Sequence, residues 1–187
     1  MEGKLKMSVL AVIVAIIEDG KILLTKREDF EVWCLPGGGV EDGESVAEAG
    51  LREAKEETGL DVELTSLVGV YSRVGGMWND VHALLFRAKP VGGELRLQPG
   101  ETIQVAYFPF DTLPKEMLFG HPQRVADAIA NVRVVAMKQE LHLPDQSKPT
   151  RKELYEWRDS SGLSRQQFYL ERIAQAESRE TVEVGHV

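Results

Sequence analysis

Glu53, Glu56 and Glu57 stand three, four and one positions apart. On a helix that spacing places them on one face. Three carboxylates packed together repel one another unless a cation sits between them. An all-oxygen donor set suits a hard divalent ion, magnesium first and manganese as the alternative. Such an ion activates water and neutralises charge gathering on phosphate oxygens. Arg52 lies one turn before Glu56 and can hold that carboxylate by hydrogen bonds. A lone Glu-Glu pair reads as a solvated helix face, because charge-rich helices are commonplace. Here the flanking sequence supplies more.

The helix that must carry these carboxylates is predicted from Ser45, where Ala47, Leu51, Ala54 and Thr58 recur at helical spacing over about four turns. Its glutamates fall about a third of a turn from that apolar stripe. Ser45 with Glu48 forms a capping box, and Gly59 supplies the stop. Before the helix, Pro36-Gly37-Gly38-Gly39 ends a short buried strand over residues 32–35. The run reads as a loop whose backbone can approach an ion or a phosphate closely. Further upstream, Asp19-Gly20 separates the apolar run of residues 8–17 from residues 21–25, the pattern of a hairpin. That run is too short to span a bilayer and lacks a small-residue cleavage site, so it reads as a strand and not as a signal segment. Downstream strands are predicted at residues 62–71, 81–86, 94–97 and 103–108, with Gly92-Gly93 marking a turn. A second helix is predicted on Val125, Ile129, Val132 and Ala136, starting near His121-Pro122.

At 187 residues and 43% hydrophobic, the chain can bury the core of one compact domain with room for an added segment. Its 22 basic residues against 30 acidic ones give a formal charge of −8, which repels a nucleic-acid backbone. General nucleic-acid binding is therefore excluded, and a phosphate substrate calls for a cation between it and the protein. Cys34 is the only cysteine, which rules out an intramolecular disulfide and a cysteine-rich zinc site and fits a cytoplasmic location. In its apolar strand it reads as a buried structural thiol. His82 and His121 lack a second histidine at ligand spacing and read as structural.

Residues 38–60 resemble the Nudix box. Gly38 is followed after five residues by Glu44, then after seven by Arg52-Glu53, an aliphatic position, x-Glu56-Glu57-x-Gly59 and Leu60. Every glycine and charged position is met, and only Ala54 is smaller than the aliphatic residue usual in the family. The resemblance extends more loosely over residues 8–130. It implies an α+β fold, an αβα sandwich around a mixed β-sheet. It also implies hydrolysis of the diphosphate bond of a nucleoside diphosphate linked to another group, ADP-ribose-like or nucleotide-sugar-like. A nucleoside triphosphate pyrophosphohydrolase is the alternative. A non-catalytic nucleotide-binding module would carry a degraded box, and this box is intact. Carried over by residue, Glu53, Glu56 and Glu57 ligate the metal with the Gly38 carbonyl, while Glu44, Arg52 and Gly59 organise loop and helix. The general base is either a box glutamate or Glu101, before the strand at 103; Gln104 stands where relatives often carry another late glutamate. The partner implied is a nucleotide-derived small molecule, with no membrane. Trp78, in the loop of residues 75–80, is a candidate to stack on a base.

The sequence thus divides into a Nudix domain over 1–139, a linker with two prolines over 140–149, and a C-terminal helical extension over 150–187. Thr150 with Glu153 and Ser164 with Gln167 form capping boxes for two short helices. These carry Leu154, Trp157, Phe168, Tyr169 and Ile173, and helices of that length are marginal alone in water. They are expected to dock on the catalytic domain or on a second copy of the chain, as a homodimer.

Overall fold

The computed structural model describes residues 8–75, 80–143, 147 and 149–185. The first apolar run forms β1 (Val9–Glu18), which Asp19-Gly20, both at positive φ, turn into antiparallel β2 (Lys21–Arg27). Next come β3 (Trp33–Cys34), β4 (Gly37–Gly39) and α1 (Val46–Thr58). They are followed by β5 (Leu60–Val74), β6 (Val81–Gly93), β7 (Thr102–Pro109), α2 (His121–Ile129) and β8 (Val135–His142). The remainder forms α3 (Arg151–Ser160), α4 (Arg165–Phe168) running into a π-helical turn (Tyr169–Ile173), and β9 (Glu177–Val184).

The strands lie in the order β3-β2-β1-β6-β5-β8-β9, with β4 on β1 and β7 on β2. Parallel pairing of β1 with β6 and of β5 with β8, beside antiparallel neighbours, makes the sheet mixed. β1 is buried on both faces from Val12 to Ile16, which is why it reads as an unbroken apolar run. Val14 and Ile16 pack with Leu23, Ala54, Leu60 and Val62 under α1. Ile13 and Ala15 pack with Leu85, Val125, Ala128 and Met137 under α2. The two helices cover opposite faces, giving the αβα sandwich that the resemblance implies.

Several predicted elements differ. The glycine run is not a loop: Gly37, Gly38 and Gly39 pair with Ile13, Val12 and Ala11 of β1. A Cβ on Gly37 would collide with the Val12 carbonyl, so the glycines permit a close backbone approach instead of breaking the strand. Residues 94–97 are exposed and form no strand, because the chain turns at Gly93 (φ 81°) past the end of its β5 partner and crosses the C-terminus of α1. The helix predicted to reach Ala136 stops at Ile129; positive φ at Asn131 and Val134 redirects the chain, and Val135 enters β8 beside Gly69 of β5. Glu140, Leu141 and His142, expected in the linker, are strand residues, and the end of the extension expected to be helical over 150–187 is instead β9, an antiparallel neighbour to β8.

Both capped helices of the C-terminal segment form, and each cap is reciprocal. Except for Trp157, which stays 40% exposed, the apolar residues predicted for them are covered by this chain's own β2–β3 loop and by the end of β8 and the residue after it. Leu154, Phe168, Tyr169 and Ile173 pack with Phe30, Val32, Leu141 and Leu143 as a separate core. No helix among the described residues is long and apolar enough to cross a membrane.

Candidate active site

α1 is held against the sheet by its small residues. Ala49, Gly50 and Ala54 are buried, and a Cβ on Gly50 would stand 3.3 Å from a Val12 methyl. The predicted apolar stripe is rotated: Ala47 is exposed and Leu51 is 41% exposed, while Glu53 and Glu57 belong to the buried face at 9% each. The reason is packing distance, since a helix this close to β1 presents its glycine and alanines inward and leaves Leu51 outside. Two of the three glutamates therefore point into the protein, and Glu56 stays exposed beside them.

Arg52 organises this cluster. Its Nε and Nη2 donate to both carboxylate oxygens of Glu44 at 2.6 and 2.9 Å, a bidentate pair. Its Nη1 donates to Glu53 at 2.8 Å and to Glu56 at 3.1 Å, and Nη2 also reaches the Gly39 carbonyl at 3.0 Å. Glu44 accepts from the Glu41 backbone as well, and the guanidinium brings its pKa down to about 2. Glu44 and Arg52 thus tie the loop after β4 to α1.

Glu57 lies deeper, accepting from Thr25 Oγ1 at 3.3 Å and from the Gly37 backbone. Burial, with the Glu53 charge second, pushes its pKa up to about 8. Burial raises Glu53 too, against the pull of Arg52. The charge of Glu101 adds to both shifts, so the loop before β7 brings that carboxylate near α1. Its backbone is fixed there by Glu28 N–H donating to the Glu101 carbonyl at 2.8 Å.

Glu53, Glu57, Gly38 and Glu101 line one cleft of about 1260 Å³. A Cβ on Gly38 would collide with the Glu53 carboxylate, so this glycine is what lets carboxylate and backbone share the cleft wall. Carboxylate and carbonyl oxygens are the donors a hard divalent cation takes, and burial of two of the carboxylates calls for a positive charge between them. Among the described residues no three His, Cys, Asp or Glu side chains already converge as a cluster. Trp78 lies outside the described residues.

Cys34 is buried, and burial raises its pKa to about 12, which suits the structural reading. His82 pairs with Ser72 at 3.0 Å, and His121 Nδ1 accepts from Leu35 N at 3.0 Å. The sequence reading missed the far side of the cleft, which Arg27, Asp29, Arg124, Arg151, Tyr155 and Arg158 line. Only Arg124, next to Val125 on an otherwise apolar stripe, carried a signal.

The NUDIX domain profile matches residues 7–132. An ADP-ribose pyrophosphatase of Methanocaldococcus jannaschii is 40% identical over 114 residues, 59% of this chain and 66% of that protein. A human 8-oxo-dGDP phosphatase is 35% identical over 141 residues, 71% of this chain and 41% of that protein. A crystal structure of a MutT NUDIX hydrolase from Burkholderia pseudomallei superposes with a TM-score of 0.59 at 29% identity, covering 65% of this chain and 98% of that one. The carboxylate-bearing α1, the sandwich that holds it and these relatives agree: the chain belongs to the Nudix family and is a Nudix-type pyrophosphohydrolase.

Proposed function

We propose that this enzyme cleaves the diphosphate bond of a nucleoside diphosphate linked to a further group, with Glu53, Glu56 and Glu57 holding magnesium, or manganese, and Glu101 acting as the base. The observation that carries this reading is the presence of Glu53, Glu57 and Glu101 on one cleft wall. A divalent cation there supplies Lewis acidity to the phosphate oxygens. Glu53, Glu56 and Glu57 hold it from α1, Arg52 fixes the angles of Glu53 and Glu56, and Gly38 keeps the backbone low enough for phosphate to enter. Glu101, on a separate loop, is free of the α1 network and can take the proton of the attacking water. The single buried thiol is in keeping with a reducing cytoplasm.

A second reading, a nucleoside triphosphate pyrophosphohydrolase that sanitises the nucleotide pool, draws on the name of a Bacillus subtilis relative, a putative 8-oxo-dGTP diphosphatase 35% identical over 117 residues. A panel of ADP-ribose, nucleotide sugars and nucleoside triphosphates with magnesium, followed by phosphate or nucleoside monophosphate release, separates the two. Turnover of triphosphates alone would overturn the first reading. Glu57→Gln should lower turnover by at least about two orders of magnitude, since a lost ligand charge displaces the ion. Glu101→Gln should lower the rate with metal affinity kept. Near-parental activity in Glu57→Gln would remove α1 from the chemistry.

A further inference from the structure

The cleft that carries Glu53, Glu57 and Glu101 is also lined by six arginines, Arg27, Arg73, Arg124, Arg151, Arg158 and Arg165, with Glu28 and Asp29. In a chain of net charge −8 such an excess of cations in one concavity is local and must be built. Three of the six come from the segment after β8, outside the residues the NUDIX profile matches.

Several of these cations are committed to holding the walls. Arg27 pairs with Asp29 through two donors. Arg158 donates to the Asp29 carbonyl at 2.7 Å, and Arg165 to the Glu28 carbonyl at 2.9 Å. These two bonds fasten the C-terminal segment to the β2–β3 loop. Two others are less engaged. Arg151 is 66% exposed along its side chain, donates to the Tyr155 hydroxyl at 2.8 Å, and stands 3.8 Å from an Asp29 oxygen that Arg27 already holds.

Arg124 is the unusual one. It is 6% exposed and has no carboxylate within ion-pair distance among the described residues. One Nη donates to Gln139 and the other stands 3.3 Å from His121 Nε2, while its Nε finds no partner among the described residues. The Tyr71 ring lies 5.5 Å from the guanidinium. Burial and the charge of Arg73 bring its pKa down to about 10. A buried guanidinium linked to the Glu180 carboxylate only through Gln139 lacks a direct ion pair, and an anion arriving in the cleft offsets the cost of its burial.

We propose that residues 149–173 complete the catalytic cleft as a subsite for a negatively charged group beyond the scissile diphosphate, received by Arg151 from the extension and Arg124 from the cleft floor. The ligand class is a nucleoside diphosphate whose attached moiety bears its own phosphate or carboxylate. This deepens the hydrolase reading and rests on it. It makes the C-terminal segment a specificity element and not only a stabilising one.

Two substrate pairs that hold the base constant test it with the full chain and magnesium: UDP-glucuronate against UDP-glucose, and dGTP against dGDP. The charged or more highly charged member should show a KM about tenfold lower in at least one pair, the effect of one charge-assisted contact. Selectivity in the first pair assigns a sugar-borne carboxylate; selectivity in the second assigns a terminal phosphate where the UDP-sugars are turned over too, since turnover of dGTP alone overturns the reading on which the subsite rests. Arg151→Gln should raise KM for the favoured member about tenfold more than for its neighbour. That differential is one that a purely structural arginine would not produce. Arg124→Met should reduce the same ratio. Equal KM within each pair, or selectivity untouched by Arg151→Gln, overturns the subsite while leaving the hydrolase reading standing. If nothing is turned over, the hydrolase reading fails first. Calorimetric titration with UDP-glucuronate and UDP-glucose then decides the subsite, tighter binding of the acid supporting it and equal binding ending it.

Discussion

Helices α1 and α3 begin in the same way and face one cleft. Ser45 with Glu48 and Thr150 with Glu153 each close a reciprocal capping box. Beyond the first turn they diverge. α1 lies on β1 through Ala49, Gly50 and Ala54, and this close seat turns Glu53 and Glu57 inward. α3 buries only Leu154 and Arg158, and it meets the β2–β3 loop through the Asp29 carbonyl, the Tyr155–Asp29 hydrogen bond at 2.9 Å and the Phe30 ring. The difference teaches that a cap tells where a helix starts, whereas the neighbour tells what its charged side chains do. On α1 the inward charges are acidic and poised for a cation. On α3 the inward charge is basic and holds a loop.

The largest expected effect comes from the anchor of the α3 side. Phe30 is 1% exposed and lies between Tyr155, Phe168 and Tyr169 at ring separations of 5.9, 6.4 and 5.6 Å. Phe30→Ala should cost about 3–5 kcal/mol, as for other buried aromatics. Hydrogen exchange should show the loss concentrated in residues 150–173 and not in α1. Protection lost equally in both helices would break the comparison, because the two regions would then be one cooperative unit.

A smaller effect tests the floor the two sides share. Burial and the charges of Arg124, Arg27 and Arg73 hold His121 well below its ordinary value of 6.5. The unfolded chain therefore takes up a proton that the folded chain refuses. The stability of the neutral form is complete above pH 6.5 and declines as pH falls below it, by up to about 1.4 kcal/mol per unit from this group. Urea midpoints taken on both sides of that pH should show the slope in the parent and a shallower one in His121→Gln. An unchanged slope would mean that other groups govern acid lability.

The smallest effects compare the caps themselves. Ser45→Ala and Thr150→Ala should each cost about 1 kcal/mol in denaturant titrations. Ser45→Ala should also reduce turnover, since fraying of α1 loosens Arg52 and Glu53, while Thr150→Ala should act first on KM. Identical kinetic profiles for the two variants would erase the distinction drawn between the helices.

The sequence by itself determined the hairpin at Asp19-Gly20, both limits of α1 and both C-terminal caps. These rest on short-range rules, in which one side chain satisfies a backbone group three residues away or a glycine takes a positive φ. It also pointed to the family, because the spacing of Glu44, Arg52, Glu53, Glu56 and Glu57 is long and specific. Other features depended on the partner that each segment finds. The inward face of α1 differs from the apolar stripe of its sequence because the seat on β1 favours Gly50 and Ala54 over Leu51. Gly37–Gly39 became a strand because β1 offered an edge. Residues 135–142 carry the local signals of a helix end and a linker, yet pair with β5 as a strand. The arginines of the far wall are scattered from Arg27 to Arg165, and no local pattern joins them. Only the tertiary structure brings them to one cleft, because Coulombic and packing forces act through space between residues that the chain order keeps apart.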